Sequence, residues 1–341
     1  MPNPYQSLSH THFWKTAVSD RRDRVHPQVQ KSFRIAPGQR VATAGSCFAQ
    51  NLARHLRDSP AVSFMEAEPL RPDDPVFSGR YGNIYTAHQL LQLFEEVESG
   101  AVDKGCAIRR HDGRWVDMHR PFIEPDGFAD PDAVFAARAA HCAAIRPVFH
   151  EADVLVFTLG LTEAWQHTAP GRVLPACPGI YSDAPATDYE FVNFGFAEVK
   201  AAMEQFAARL TAANPAVKLL LTVSPVPLTA TYTQDHVLVA TMHSKAILRA
   251  VSSELAAEIA NIFYFPSYEM VANPYTDTSA FSPDNLREVT PEAVQEVMRV
   301  FDADYLDVAT AATARAHGSR LRPEEDDLFC DDVEIEKSIG F

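Results

Sequence analysis

The chain has 341 residues, of which 46% are hydrophobic and 22% are charged, a composition that is ordinary for a soluble globular protein. Its length allows one large α/β domain or two ordinary domains, with a sizeable core in either case. The formal net charge of −15 disfavours nucleic acid and anionic membrane surfaces as partners, because both require a basic face on the protein.

The cysteines and the N-terminus indicate a reducing compartment. The chain has five cysteines, an odd number, and none of them forms a Cys-x-x-Cys motif. This pattern disfavours a disulfide framework and a zinc site, so we expect no metal. The N-terminal segment has no basic stretch followed by an apolar one, and no apolar run approaches a membrane span. The predicted location is the cytoplasm. The cysteines are Cys47, Cys106, Cys142, Cys177 and Cys330.

The first predicted strand and the first predicted helix flank a turn of small residues. Residues 40–44 form a β-prone run, which Gly45, Ser46 and Cys47 interrupt. From residue 48 to residue 56 apolar side chains recur at i, i+4 spacing, which predicts an amphipathic helix. A serine in such a turn is either the N-cap of the helix or a nucleophile whose oxyanion the N-terminal N–H groups stabilise. The local sequence leaves both interpretations open.

Helices and strands alternate along the rest of the chain. Helices are predicted over residues 87–97 (with Thr86 as N-cap), 132–150, 196–213, 236–260 and 291–305. Continuous apolar runs at residues 154–160, 217–223 and 262–265 predict buried parallel strands. Loops are predicted at 58–80 and 168–185, an irregular or hairpin insertion at 101–128, and a weakly ordered acidic tail at 316–341.

This alternation predicts an α/β fold with a parallel sheet and right-handed crossovers. Polar or turn residues follow each predicted strand, at Ser46, 160–163, Ser224 and 267–269. Because ligands in open α/β sheets bind beyond the carboxyl ends of the strands, we expect a site at this edge. No Gly-x-Gly-x-x-Gly opens a helix and no P-loop motif is present, which disfavours nucleotide binding.

Residues 45–49 spell Gly-Ser-Cys-Phe-Ala, the signature of the GSCFA family, which the chain resembles. Further similar segments are FWKTAVSD (13–20), ATAGSCFAQNLARHL (42–56), YGNIYTAHQLLQL (81–93), RPFIEPDGF (120–128), VFTLGLTEAW (156–165), LLLTVSPVPLTATY (219–232), SKAILRAV (244–251), YFPSYEMV (264–271) and LREVTPEAV (286–294). They extend over most of residues 10–302. The family is grouped with the SGNH/GDSL hydrolases, so the resemblance implies a three-layer α/β/α sandwich around a central parallel, flavodoxin-like sheet. We expect one domain over 40–315, an N-terminal extension (1–39) packed on it, and the tail 316–341 outside it.

The resemblance also implies a catalytic serine. SGNH enzymes use a serine in a Gly-Asp-Ser-like turn, with oxyanion donors from the backbone N–H of that serine, from a glycine and from an asparagine. Ser46 resembles the nucleophile, and Gly82 together with Asn83 resembles the second donor. Residues 160–163 resemble the Gly-x-Asn-Asp block, but Thr162 stands where the asparagine is expected. Either the Thr162 hydroxyl or Asn83 then supplies the missing donor.

The C-terminal block departs from the SGNH pattern. These enzymes have Asp-x-x-His near the C-terminus, whereas residues 284–288 contain no histidine. An acyl-transfer serine needs a base that takes its proton. We predict that His236 is this base, with Glu163 or Asp235 orienting it. Glu288 is a second candidate base if burial raises its pKa.

Three further positions near the predicted site need an interpretation. Arg287 is either an anchor for a substrate carboxylate or phosphate, or a member of a surface ion pair. Cys47 is predicted to be a small buried residue that points toward the sheet rather than a thiol nucleophile. Ser224, at the end of the second buried strand, is predicted to contact the substrate.

These residues predict a serine-dependent acyl-transfer enzyme of the SGNH type. It would be an O-acyl esterase or an O-acyltransferase that acts on a carbohydrate or a small hydroxylated metabolite through an acyl-enzyme at Ser46. No redox cofactor is expected, although a transferase needs an acyl donor such as an acyl-CoA. The missing C-terminal histidine favours an alternative, a non-catalytic ligand-binding protein on a degenerate SGNH fold. In a third interpretation, the Ser46 turn and the helix end behind it bind an anion such as phosphate.

Overall fold

The computed structural model describes residues 3–21, 27, 33–72, 74–169, 171–276, 279–307 and 337. The strands are β1 (Arg40–Gly45), β2 (Ser63–Phe64), β3 (Ala107–Arg109), β4 (Trp115–Asp117), β5 (Val154–Leu159), β6 (Glu163–His167), β7 (Val173–Leu174), β8 (Tyr189–Asn193), β9 (Lys218–Val223) and β10 (Ile262–Tyr264). The helices are α1 (Ala49–Asp58), α2 (Ala87–Ser99), α3 (Pro131–His150), α4 (Phe196–Ala213), α5 (Val237–Glu258), α6 (Ser267–Val271) and α7 (Pro291–Tyr305).

The central sheet contains five strands in the spatial order β2-β1-β5-β9-β10, and every neighbouring pair is parallel. Numbered along the chain, this order is 2-1-3-4-5, which is the flavodoxin-like arrangement. The order reverses between β1 and β5, so the topological switch point lies between these two strands. The predicted three-layer α/β/α class with a parallel, flavodoxin-like sheet is confirmed.

Alternation along the strands separates two hydrophobic cores, one on each face of the sheet. Leu155 and Leu219 are fully buried on the face that α2, α3, α4 and α5 cover. Their neighbours Val154 and Leu220 are buried on the opposite face, against α1 and α7. The central strands therefore read as continuous apolar runs because both of their faces are buried.

Local sequence signals account for most of the helix ends. The Thr86 hydroxyl accepts from the N–H of Gln89, and the Gln89 side chain accepts from the N–H of Thr86, which forms a capping box at the start of α2. The Asp130 and Thr290 side chains cap α3 and α7 in the same position. The predicted helices at 87–97, 132–150, 196–213, 236–260 and 291–305 are confirmed to within about two residues at each end.

Short edge strands are the main error of the sequence interpretation. The predicted loop 58–80 contains β2, which pairs with the first two residues of β1. The predicted loop 168–185 contains β7, which pairs with β6 in a small antiparallel sheet of β7, β6 and β8, and the sequence interpretation predicted neither β6 nor β8. A strand of two residues forms only when a partner strand is already in place. It is also too short to show the hydrophobic periodicity from which a strand is predicted. The predicted hairpin insertion at 101–128 is confirmed by β3 and β4.

The segment before β1 packs against the end of α7, whereas the predicted C-terminal tail lies almost entirely outside the described residues. Ile35 is fully buried and forms a parallel bridge with Leu306, and Arg34 donates from Nη1 to the carbonyl oxygens of Ala303 and Leu306. The chain that precedes β1 is thereby tied to the end of α7. The predicted acidic tail at 316–341 lies outside the described residues except for Lys337. None of the helices in the described ranges has both the length and the apolar composition needed to cross a bilayer.

Replacing Leu155 with Ala should lower the free energy of unfolding by about 2–5 kcal/mol, because a fully buried side chain at the centre of the sheet leaves a cavity. The matched control is Leu238→Ala on α5, whose side chain is 63% exposed, and its effect should stay within about 0.5 kcal/mol. Urea unfolding followed by circular dichroism measures both. Equal effects of the two substitutions would contradict the assignment of the core.

Candidate active site

Ser46 lies at the topological switch point of the sheet. It directly follows β1, and Gly160 directly follows β5, the neighbouring strand. The two strands are in parallel register, with Gly45 paired with Thr158. Because parallel strands end at the same edge, the two turns meet where ligands bind in open α/β sheets.

The approach of these two turns requires glycine on both sides. A Cβ atom on Gly160 would lie 2.9 Å from Ser46 Cβ and 3.0 Å from Tyr85 Cδ1, closer than packed carbon atoms approach. Gly45 has a φ of +141°, and a Cβ there would lie 2.5 Å from the Thr158 carbonyl oxygen. The backbone of β5 therefore packs directly against Ser46.

The Ser46 hydroxyl is buried and has no hydrogen-bond partner among the described residues. The N-cap position of α1 is occupied by Phe48, and no side chain caps the helix there. The N-cap interpretation of Ser46 is therefore wrong. A buried hydroxyl without a partner costs about 1–3 kcal/mol of stability, so its presence calls for another explanation.

The backbone around Ser46 differs from the predicted helix start. The helix begins at Ala49 rather than at residue 48, and Cys47 lies in the turn before it, buried as predicted. The N–H groups of Ala49, Gln50 and Asn51 donate to the carbonyl oxygens three residues earlier, at 2.8, 3.1 and 3.2 Å. These groups are thus engaged within the turn, which argues against the anion-binding interpretation of this helix end.

The Ser46 N–H also has a partner. It donates to the Thr158 carbonyl oxygen at 3.1 Å and so continues the pairing of β1 with β5 by one residue. The resemblance predicts this N–H as an oxyanion donor. In the observed conformation the sheet uses it instead, so this N–H is not available to a substrate oxyanion.

Residues 81–85, which we call the strap, run across the carboxyl edge beside Ser46. The Ile84 N–H donates to the Gly45 carbonyl oxygen at 2.8 Å. The Gly82 N–H makes no hydrogen bond with a described residue, and Gly82 adopts a φ of +70°, which favours glycine. The Asn83 Oδ1 accepts from Gln50 Nε2 on the first turn of α1 at 3.4 Å. The structure thus places Gly82 and Asn83 next to the Ser46 turn.

Thr162 and Glu163 are held by other partners. The Thr162 N–H donates to Ser244 Oγ at 3.0 Å, and its hydroxyl donates to Asn193 Oδ1 at 2.8 Å. Glu163 accepts from the Thr231 hydroxyl at 2.7 Å and from the N–H of residue 232 at 3.3 Å. Both donors of Thr162 are therefore engaged. The Glu163 carboxylate binds the loop that follows β9 and does not orient an imidazole.

His236 is exposed and caps α5. Its Nδ1 accepts from the Leu238 N–H at 3.2 Å, and no hydrogen bond or ion pair joins it to Ser46 or Glu163 in the described part of the chain. Asp235, the alternative orienting group, is also exposed. The structure does not bring the predicted base and the predicted nucleophile together.

The remaining predicted site residues lie around the loop after β9. Ser224 is buried, donates its N–H to the Leu159 carbonyl oxygen at 2.8 Å and accepts from the Val226 N–H. Arg287 is half-buried and donates from Nη2 to the Pro227 carbonyl oxygen at 3.5 Å. Glu288 is exposed, so it lacks the burial that a carboxyl base would need.

Most other described imidazoles have partners away from Ser46. His55, His111, His141 and His150 each pair with a carboxylate, at 2.7, 2.9, 2.7 and 2.5 Å. The ring of His88 stacks on Phe194 with centroids 3.7 Å apart. None of the imidazoles in the described ranges lies within hydrogen-bond distance of the Ser46 hydroxyl.

Two residues near the site were missed from the sequence. Lys245 on α5 is almost completely buried and donates from Nζ to the Gly160 carbonyl oxygen at 2.7 Å. His119 lines two adjoining cavities together with Tyr81 and Asn83 of the strap. Burial, and then the positive charge of Arg138, lower the pKa of His119 to about 4. A lysine in an apolar helix and a histidine in a loop resemble surface residues, so no sequence signal identified either one.

The fold and the site define an α/β protein with flavodoxin-like strand order and a buried serine at its switch point. The chain belongs to the GSCFA family, whose profile matches residues 40–301. A comparison with curated proteins gives no match. Among solved structures, the chain is similar to a carbohydrate esterase family 3 protein from Talaromyces cellulolyticus, with 12% identity and a TM-score of 0.38. That alignment covers 78% of this chain and 95% of the other.

Gly160→Ala should lower the free energy of unfolding by about 1–3 kcal/mol, because the added methyl group collides with Ser46 Cβ and Tyr85. The matched control is Gly179→Ala, where a new Cβ would meet only the Cys177 sulfur at 3.8 Å. Its effect should stay within about 0.5 kcal/mol. Chemical denaturation of both variants tests this, and an unchanged stability of Gly160→Ala would show that the turns do not pack as described.

The low pKa of His119 should make stability depend on pH. Below about pH 6.5 the unfolded chain protonates this imidazole, whereas the folded chain resists protonation until about pH 4. The free energy of unfolding should therefore fall as the pH falls through this window, and it should fall less in His119→Gln. Denaturation at pH 7 and pH 5 compares the two chains. An equal fall in both would contradict the lowered pKa of His119.

Proposed function

We propose that this chain is a serine-dependent acyl-transfer enzyme of the SGNH type, an O-acyl esterase or O-acyltransferase that forms an acyl-enzyme at Ser46. The observation that carries the proposal is the buried Ser46 hydroxyl, which lies at the switch point and has no hydrogen-bond partner among the described residues. A reactive hydroxyl must be free to attack, whereas a structural serine at a helix start is normally engaged as a cap.

In the proposed reaction the Ser46 oxygen attacks the acyl carbonyl carbon, and its proton passes to a base. The Gly82 N–H, which has no other partner among the described residues, and the Asn83 side chain stabilise the oxyanion. The ester C–O bond then breaks, and the leaving alcohol takes the proton. Water or an acceptor hydroxyl attacks the acyl-enzyme in the second half of the reaction and restores the serine.

The identity of the base that takes the Ser46 proton remains a prediction. His236 can serve only if its ring leaves the Leu238 N–H that it now caps, and if the first turn of α5 approaches Ser46. Access to the serine requires movement as well, because the hydroxyl is enclosed between Gly160 and the strap. We therefore propose that a local movement on substrate binding exposes the Ser46 hydroxyl while the strap keeps Gly82 and Asn83 beside it.

The net charge of the chain bears on the class of substrate. A chain with a net charge of −15 favours a neutral substrate, and we propose a carbohydrate or another small hydroxylated metabolite, in the cytoplasm. The reaction needs neither a metal nor a redox cofactor. A transferase would additionally use an acyl donor such as an acyl-CoA.

A second candidate function is a ligand-binding protein without catalysis. The observation that favours it is that no imidazole or carboxylate within the described ranges hydrogen-bonds to Ser46, and that the sheet engages the Ser46 N–H. An inactive relative would keep the fold and the Ser46 turn at the switch point while its serine stays unreactive.

A fluorophosphonate probe followed by mass spectrometry distinguishes the two. We expect the probe to modify Ser46, because an activated hydroxyl attacks the phosphorus centre, and Ser46→Ala should abolish the modification. The matched control is Ser252→Ala, a buried serine on α5 whose hydroxyl donates to the Leu248 carbonyl oxygen; it should label like the unaltered chain. Absence of labelling in the unaltered, folded chain would contradict the enzyme and favour the binding protein.

A further inference from the structure

Lys245 is an unusual residue for the centre of an α/β protein. It lies on the face of α5 that covers the sheet, and only 1% of its surface is exposed. Lysine is rarely buried to this extent, because removing an ammonium group from water is costly. A leucine or methionine would fill the same space without that cost. The amine must therefore do something that an apolar side chain cannot.

The amine is bound to the turn that contacts Ser46. Lys245 Nζ donates to the Gly160 carbonyl oxygen at 2.7 Å, and Gly160 is the residue against which Ser46 Cβ packs. The same turn is bound to the strap, because the N–H groups of Gly160 and Leu161 both donate to the Tyr85 carbonyl oxygen, at 2.9 and 3.1 Å. Lys245 is thus linked to the strap through a single turn.

The strap in turn is bound beside the serine. Its Ile84 N–H donates to the Gly45 carbonyl oxygen, directly before Ser46, and it contains the predicted oxyanion donors Gly82 and Asn83. The position of these donors relative to Ser46 therefore depends on the Gly160–Leu161 peptide that Lys245 holds. A shift of about 1 Å at such a position is enough to weaken catalysis severely.

A neutral group on the same helix already holds this turn. The Ser244 hydroxyl, from the residue before Lys245, accepts from the Thr162 N–H at 3.0 Å. A hydrogen bond between α5 and this turn therefore does not require a charged side chain. What distinguishes Lys245 from Ser244 is an amine that is positively charged when protonated, and a charge acts more strongly in a region from which water is excluded than in water.

We propose that Lys245 is a positioning residue for acyl transfer at Ser46. Its ammonium group holds the Gly160–Leu161 peptide, and through it the strap, in the arrangement that surrounds the serine. Its charge also stabilises the negative charge that develops on the Ser46 oxygen and on the substrate oxyanion. The proposal rests on the acyl-transfer function and adds to it the source of the positive potential at the site.

The test compares the pH dependence of fluorophosphonate labelling at Ser46 in the unaltered chain, Lys245→Met, Lys245→Gln and Ser244→Ala. Lys245→Met removes the charge and the hydrogen bond at similar volume. Lys245→Gln keeps an N–H donor without the charge, and it also replaces Lys245→Met if that variant does not fold. Ser244→Ala removes the neutral link between the same helix and the same turn. Circular dichroism and a thermal melt establish that each variant is folded.

We expect both Lys245 variants to label at least about tenfold more slowly than the unaltered chain, a smaller loss than the ~10²–10³ for a donor that touches the oxyanion. Their rate profiles should also shift to higher pH, because the serine proton is then harder to remove. Ser244→Ala should keep the pH profile of the unaltered chain, even if its rate is lower.

Two outcomes would overturn the role of Lys245 while the proposed function stands. One is labelling of Lys245→Gln at the rate and with the pH profile of the unaltered chain. The other is an equal loss in Lys245→Met and Ser244→Ala with no shift in pH, which would mean that the residue only holds the turn in place. Absence of labelling in the unaltered chain is a different result, and it would overturn the acyl-transfer function together with this role.

Discussion

The contact between Ser46 and Gly160 is the constraint on which the rest of the site depends. It exists because β1 and β5 are parallel neighbours in register and because their turns leave the sheet at the same edge. The space between the turns admits no side chain at residue 160. The backbone of Gly160 can therefore serve the strap with its N–H and Lys245 with its carbonyl oxygen. One close backbone approach thus joins the sheet, α5 and the strap around a single hydroxyl.

The strap has no regular secondary structure, and buried polar contacts hold it in place. The Tyr81 hydroxyl donates to the Thr43 carbonyl oxygen of β1. At the residue before the strap, the Arg80 carbonyl oxygen accepts from Arg120 Nη1 at 3.0 Å. Arg120 belongs to a buried ionic network that also contains Asp117, Arg138 and Glu96. Although burial raises the pKa of Asp117, the two arginines hold it well below its usual range. Loss of one member would leave a buried charge without its partner, which is strongly destabilising.

An enclosed hydroxyl without a partner and a buried ammonium group nearby both reduce stability. The two apolar cores on either side of the sheet provide the stability that offsets them. Polar groups that are costly for folding are common at functional sites, where their arrangement serves the reaction rather than the fold. The proposed acyl-transfer function explains why a hydroxyl without a partner and a buried amine occur together at the switch point. Packing alone does not explain it.

The fold class, the parallel sheet, the long helices and the family were predictable from the amino-acid sequence, because they depend on periodicity, on caps such as Thr86 and on the contiguous motif 45–49. Strand ends placed Ser46 at the carboxyl edge of the sheet, since turn residues are local features, whereas Gly82 and Asn83 were assigned to the same site only through the resemblance to SGNH enzymes. The sequence did not reveal β2 or the small antiparallel sheet of β6, β7 and β8, because these short strands form only against a partner strand. It assigned His236 to the serine by chain position, whereas the structure shows it as the cap of α5. The polar groups that meet around Ser46 could be identified only in the folded chain, because Lys245 and Gly160 are far apart in the sequence and are joined by the packing of α5 on the sheet.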